Sequence, residues 1–104
     1  MSFTPSYKEY ILEQLELSGF ICSSKNMFGG VCIFYNSKAF ALISNDELYF
    51  KVNDKTVEDY IKLGSKPFSP FETYKMKYYS VPEYIIEDRE ELTMLVNKVL
   101  EIIK

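Results

Sequence analysis

Residues 31–52 read VCIFYNSKAFALISNDELYFKV. β-Branched and aromatic residues crowd three runs, Val31 to Tyr35, Ala39 to Ser44 and Glu47 to Val52. Such side chains favour extended backbone because they pack well on a pleated surface. Between the runs stand Asn36-Ser37-Lys38 and Asn45-Asp46, short polar residues that tolerate tight turns. The stretch reads as a three-stranded antiparallel meander. In its third run Leu48, Phe50 and Val52 alternate with Glu47, Tyr49 and Lys51, which gives one buried face and one wetter face. The first two runs are apolar on both faces. Their second face therefore needs a cover, from a helix, the N-terminal segment or a partner chain.

Upstream, the spacing predicts a helix from Pro5 to Ser18. Thr4 suits the N-cap and Pro5 the first helical position. Tyr7, Ile11, Leu12 and Leu15 recur at helical spacing, and Gly19 supplies the stop. Downstream, Asn53 or Asp54 caps a short helix carrying Val57, Tyr60, Ile61 and Leu63, ended by Gly64. Pro67 and Pro70 break the next stretch. Phe71 to Val81 reads as one strand or as a hairpin of two, ended by Pro82. Asp88 and Glu91 form a capping box for a last helix. Its apolar face holds Leu92, Leu95, Val96, Val99, Leu100, Ile102 and Ile103, wide enough to dock on a sheet. The expected fold is α+β in two layers, an antiparallel sheet of four or five strands with helices mainly on one face. The expected order is α-β-β-β-α-β(-β)-α, as one domain over residues 1–104.

Composition narrows the chemistry. The chain has 104 residues, 47% of them hydrophobic and 26% charged, too apolar for a disordered chain. No apolar run reaches the roughly 18 residues a membrane span needs. There is no histidine, so histidine-based triads, zinc ligation by histidine and histidine acid–base work are excluded. The net charge of -3 argues against strong nucleic-acid binding by this chain alone, because phosphate neutralisation supplies most of such affinity. Lys51, Lys55, Lys62, Lys66, Lys75 and Lys77 are interleaved with Asp54, Glu58, Asp59 and Glu72, a mixed solvated surface. Cys22 and Cys32 are too few for a disulfide framework and read as reduced thiols. The N-terminus lacks the basic and apolar regions of a secretory signal. Both facts fit the cytoplasm.

Two strings stand out. Met27-Phe28-Gly29-Gly30 offers backbone freedom at successive glycines. It can simply lead the chain into a strand, or present amides to an anion with help from Lys25. Tyr78-Tyr79 lies next to Val81-Pro82-Glu83. Adjacent strand residues point to opposite faces, so one tyrosine is expected in the core and the other exposed or at an interface. Asp46-Glu47, Glu58-Asp59, Glu87-Asp88 and Glu90-Glu91 are adjacent carboxylates, read as turn and cap residues rather than as an acid–base pair. Ser23-Ser24 and the two cysteines have no partner base. No cofactor, metal or enzyme activity is expected.

Met27-Phe28-Gly29-Gly30, Phe40-Ala41-Leu42-Ile43, Leu48-Tyr49-x-Lys51-Val52, Gly64-x-x-Pro67-Phe68 and Met76-x-Tyr78-Tyr79-x-Val81-Pro82-Glu83 occur in that order. Together they resemble the TfoX/Sxy N-terminal domain family. Asn26 and Cys32 stand where that family often has a basic residue and a glycine, and the stretch after Phe68 is shorter. The resemblance implies a compact α+β fold with an antiparallel sheet. It also implies kinship with regulators of natural competence, thought to help the cyclic-AMP receptor protein activate promoters. Those regulators carry a second, helical domain. This chain ends at Lys104 directly after its last helix, and is expected to be a stand-alone N-terminal domain. The expected function is a small cytoplasmic regulatory module that works through a protein partner, such as the transcription machinery. Lys25, Met27, Phe28, Gly29, Gly30, Tyr78 and Tyr79 are its candidate contacts. The rival readings are a small-molecule or anion site at the Met27–Gly30 turn and direct DNA binding through the lysines of residues 51–77. The two-sided apolar strands and the last helix also fit a homodimer.

Overall fold

The computed structural model describes residues 4–27, 29–68 and 77–103, with Met27 described by its backbone alone. Strands β2 (Gly30–Tyr35), β3 (Lys38–Ser44) and β4 (Glu47–Lys51) form the meander the sequence predicts. Its turns are tight. Asn36 and Ser37 have φ of 51° and 66°, and Asn45 and Asp46 have 52° and 55°. Two successive positive values mark the type I′ turn, whose twist matches the strands it joins. Strand β1 (Ser23–Met27) adds before β2 and strand β5 (Tyr78–Ser80) beyond β4. The five strands are antiparallel and lie in sequence order.

Helix α1 (Pro5–Leu17) starts where expected, with the Thr4 hydroxyl accepting from the Tyr7 N–H. Helix α2 (Val57–Lys62) is entered through a turn that starts at Asn53, the first of the two expected caps. The Asn53 side chain accepts from the N–H groups of Lys55 and Thr56, and its own N–H donates to the Thr56 hydroxyl. Helix α3 (Glu83–Ile86) is followed by α4 (Arg89–Ile102), whose Asp88 cap accepts from the Glu91 N–H.

The expected element order needs two additions, because β1 precedes the meander and α3 precedes the last helix. β1 carries Ser23, Ser24, Lys25 and Asn26, with no apolar alternation to betray it. An edge strand has one partner and can stay polar. α3 spans four residues and has no side-chain cap, so it leaves neither a period nor a start signal. Much of the strand or hairpin expected over Phe71 to Val81 falls on residues 69–76, outside the described residues. Tyr78–Ser80 is the described strand there.

One face of the sheet carries Val31, Ile33, Ala41, Ile43, Leu48 and Phe50, all in the hydrophobic core. Ile11 and Leu15 of α1, Tyr60 of α2, Ile85 and Ile86 of α3, and Leu92, Val96 and Val99 of α4 complete it. A bulge adjusts the packing. Ile33 pairs with Ala41 and Phe34 with Ala39, leaving Phe40 as the extra residue. The bulge turns Phe40 inward, where its ring lies 5.8 Å from that of Phe50. On the other face Cys32, Tyr49 and Tyr78 are also buried. Part of that cover differs from the three options the sequence suggested. Phe68, from the segment after α2, sets its ring 5.1 Å from Tyr49, and Pro67 bridges to Tyr79. Among the described residues, no helix is long and apolar enough to cross a membrane.

Candidate functional site

The Met27–Gly30 string is a hairpin turn. Met27 pairs with Gly30 across a two-residue connection, and Gly29 has φ of 76°, a left-handed value that glycine adopts without steric cost. Gly29 is exposed and Gly30 is buried. Phe28 and the Met27 side chain lie outside the described residues. Lys25 is exposed on β1, opposite Cys32 and on the face away from the helices. Its neighbour Asn26 points the other way and accepts from Lys8 Nζ at 3.1 Å, which ties the edge strand to α1. Among the described residues β1 pairs with β2 alone.

Tyr78 and Tyr79 lie on opposite faces, as strand geometry requires. Neither is fully exposed. Tyr78 pairs with Lys51 and is buried on the far face, while half-buried Tyr79 pairs with Phe50. The Tyr79 ring lies 6.3 Å from that of Tyr60 in α2. The hairpin and the tyrosines are at opposite edges of the sheet, about 19 Å apart across four strand spacings. The structure therefore does not join these two groups of candidates into one surface.

It does assemble something that no local string announces. Register aligns Val31 with Ile43 and Ile43 with Leu48, so the 28–29 and 45–46 turns share one end of the sheet. At that end Tyr7, Asp46-Glu47, Gly64-Ser65 and Val81-Pro82-Glu83 border a cleft of about 290 Å³. Each part is held by backbone geometry. Asp46 Oδ1 accepts from the Thr4 N–H at 2.7 Å and Oδ2 from the Thr4 hydroxyl at 3.2 Å, which anchors the turn to the start of α1. Gly64, at φ of 78°, ends α2 in a Schellman motif. The Ser65 N–H reaches the Tyr60 carbonyl and the Gly64 N–H that of Ile61. The Val81 N–H donates to the Leu48 carbonyl at 2.8 Å, extending the β4–β5 ladder to the cleft.

The cleft is acidic. Burial, then the charge of Glu83, then Tyr10, Asp46 and Glu47, raise the Tyr7 phenol well above its ordinary value. Partial burial, then Glu87, raises the Glu83 carboxyl. Lys66 lies 3.6 Å from Glu47 in an exposed ion pair. Ser65 keeps a buried hydroxyl with no hydrogen-bond partner among the described residues. Asp46-Glu47 was visible in the sequence as a carboxylate pair in a turn, and Glu83 within Val-Pro-Glu. Their meeting with Tyr7 depends on the fold alone.

The two thiols are free. Cys22 packs against the helix-side core and donates to the Phe20 carbonyl at 3.5 Å. Cys32 lies on the far face, opposite Lys25. Burial pushes the Cys22 thiol up to about 11 and raises that of Cys32 as well, so neither is an activated nucleophile.

A family model described as the TfoX N-terminal domain matches residues 13–103. The chain belongs to the TfoX N-terminal domain family. No curated protein matches it. The family is linked to competence regulation. Three of the TfoX-like strings meet at the cleft, through Leu48, Gly64 and Val81-Pro82-Glu83, while Gly29-Gly30 shapes the neighbouring hairpin at the same end.

Proposed function

We propose that this TfoX N-terminal domain is a cytoplasmic regulatory module that acts by binding a protein of the transcription machinery, with the cyclic-AMP receptor protein as its first candidate partner. The observation that carries the reading is the β1–β2 hairpin. It sets an edge strand, an exposed lysine and a glycine-shaped tip at the border of the molecule. Edge strands and their turns are ready contact surfaces, because their backbone groups can pair with an incoming chain. Family membership and the net charge of -3 favour a protein partner over direct grip on nucleic acid. Free thiols held on opposite faces of the sheet fit a reducing compartment.

The test is calorimetric titration of the purified chain with cyclic-AMP receptor protein. Phe28→Asp, a change within the Met27-Phe28-Gly29-Gly30 string, is expected to abolish binding while the far-UV spectrum stays that of the wild type. Absence of wild-type binding, or equal binding by the variant, overturns the reading.

A further inference from the structure

We infer that the outer edge of β1 takes an extended acidic segment of a protein partner as a sixth strand of the sheet. The inference rests on the protein-contact reading above and names the chemistry of the partner that this edge accepts.

The hydrogen-bond geometry leaves the edge open. Among the described residues β1 pairs with β2 alone. Met27 and Gly30 close a two-residue hairpin, and the closing pair of such a hairpin exchanges both of its backbone hydrogen bonds. Antiparallel alternation then makes Lys25–Cys32 a bonded pair and leaves Asn26–Val31 and Ser24–Ile33 as non-bonded pairs. The N–H and C=O groups of Ser24 and Asn26 therefore point away from the sheet. They set donors and acceptors at the spacing that an added strand requires.

Charge decides the occupant. Lys25 is exposed on the face away from the helices and has no ion pair among the described residues. On the helix side, Lys8 Nζ is held 3.1 Å from the Asn26 side chain, and an ammonium with three donors has others to spare. A strand laid along β1 thus meets one lysine on each face, at neighbouring positions. Adjacent residues of a strand point to opposite faces, so two consecutive acids satisfy both lysines. A second copy of this chain fits poorly. The two-fold register that uses all the outward groups pairs Ser24 with Asn26 and sets two copies of Lys25 directly against each other, where like charges repel. An edge lysine guards against such pairing, and an acid opposite turns the same residue into a contact. Ile21, 78% exposed, stands two residues before the strand and offers an apolar landing for one end of the segment.

The experiment is an NMR titration of the full chain, with amide hydrogen exchange, using the capped peptide Val-Thr-Glu-Glu-Thr-Val. Binding is expected to saturate and to slow exchange most at Ser24 and Asn26, whose N–H groups gain partners. Lys25→Glu should weaken binding about fivefold or more while the far-UV spectrum stays that of the wild type. The Gln-Gln counterpart should bind more weakly to a similar degree. The same acidic peptide N-methylated on every residue, which keeps its charge and loses its donors, should not bind. No binding, equal binding by either control peptide, or slowed exchange that spares Ser24 and Asn26 overturns the inference. So does a dimer of the chain alone, seen by sedimentation, in which those two amides are already protected, because it assigns the edge to a second copy. Binding of the cyclic-AMP receptor protein separates this inference from the one before it. Binding of that protein lost in Phe28→Asp but intact in Lys25→Glu overturns the added strand and leaves the module reading standing. Selective uptake of the acidic peptide without any binding of that protein supports the added strand and overturns the choice of partner.

Discussion

Tyr60 is the largest fully buried side chain, 2% exposed, yet its hydroxyl has no hydrogen-bond partner among the described residues. An unsatisfied buried hydroxyl costs roughly 1–3 kcal/mol. Tyr60→Phe keeps the ring against Tyr79 and removes the orphan oxygen. It is expected to raise the unfolding free energy by about 1 kcal/mol in urea melts, whereas a loss of stability would mean that the hydroxyl has a partner after all. The sequence put Tyr60 among the apolar residues of a short helix, with Val57, Ile61 and Leu63, and of these the structure buries Tyr60 and exposes Ile61. The missing partner was not legible, because it depends on which polar atoms three other segments bring near. At this scale the sequence speaks more clearly about who is buried than about who is satisfied. Phe40 makes the same point, since simple alternation cannot foresee the bulge that turns it inward beside Ala41.

Elements announce themselves through their ends. Thr4-Pro5, Asp88 with Glu91, and the stops at Gly19 and Gly64 were readable, because caps and left-handed residues have strong chemical preferences. The Asn-Ser and Asn-Asp turns were readable for the same reason. β1 and α3 were not, one being polar at an edge and the other a single turn without a cap. The Gly64 stop offers a clean test. A Cβ there meets open space, but φ is +78°, a conformation that costs an L-residue about 1 kcal/mol or more. Gly64→Ala should therefore lower stability by about 1 kcal/mol through backbone strain and not through a clash. Gly64→Asn, a residue that tolerates this conformation, should recover part of the loss in the same urea melts.

The whole molecule is rich in buried phenols. Tyr7, Tyr49, Tyr60 and Tyr78 are all raised above their ordinary values, by burial first in each case. The folded chain thus holds phenolic protons that the unfolded chain releases above about pH 10. The native state binds more protons there, so stability falls as pH rises. Thermal melts are expected to hold steady near neutral pH and to drop progressively above about pH 9–10. A flat profile to pH 11 would contradict the burial of these rings. At this scale the α+β class and the helix-covered sheet were legible from periodicity. The cleft was not, because its members come from residues 7, 46–47, 64–65 and 80–83, distant in sequence and joined only by register.

The five strands lie across the sheet in the order of their synthesis. A nascent chain can therefore zip β1 through β4 by successive hairpins, each closing a short loop, which keeps the entropy of closure small and the pairing fast. The same order leaves a gap in time. Val96 and Val99, which seal the sheet's apolar side, are made about fifty residues after Phe50. At a ribosomal pace of roughly 5–20 residues per second, that side stays open for several seconds. During that interval the half-built sheet is the kind of surface that chaperones hold and that sticks to its own kind.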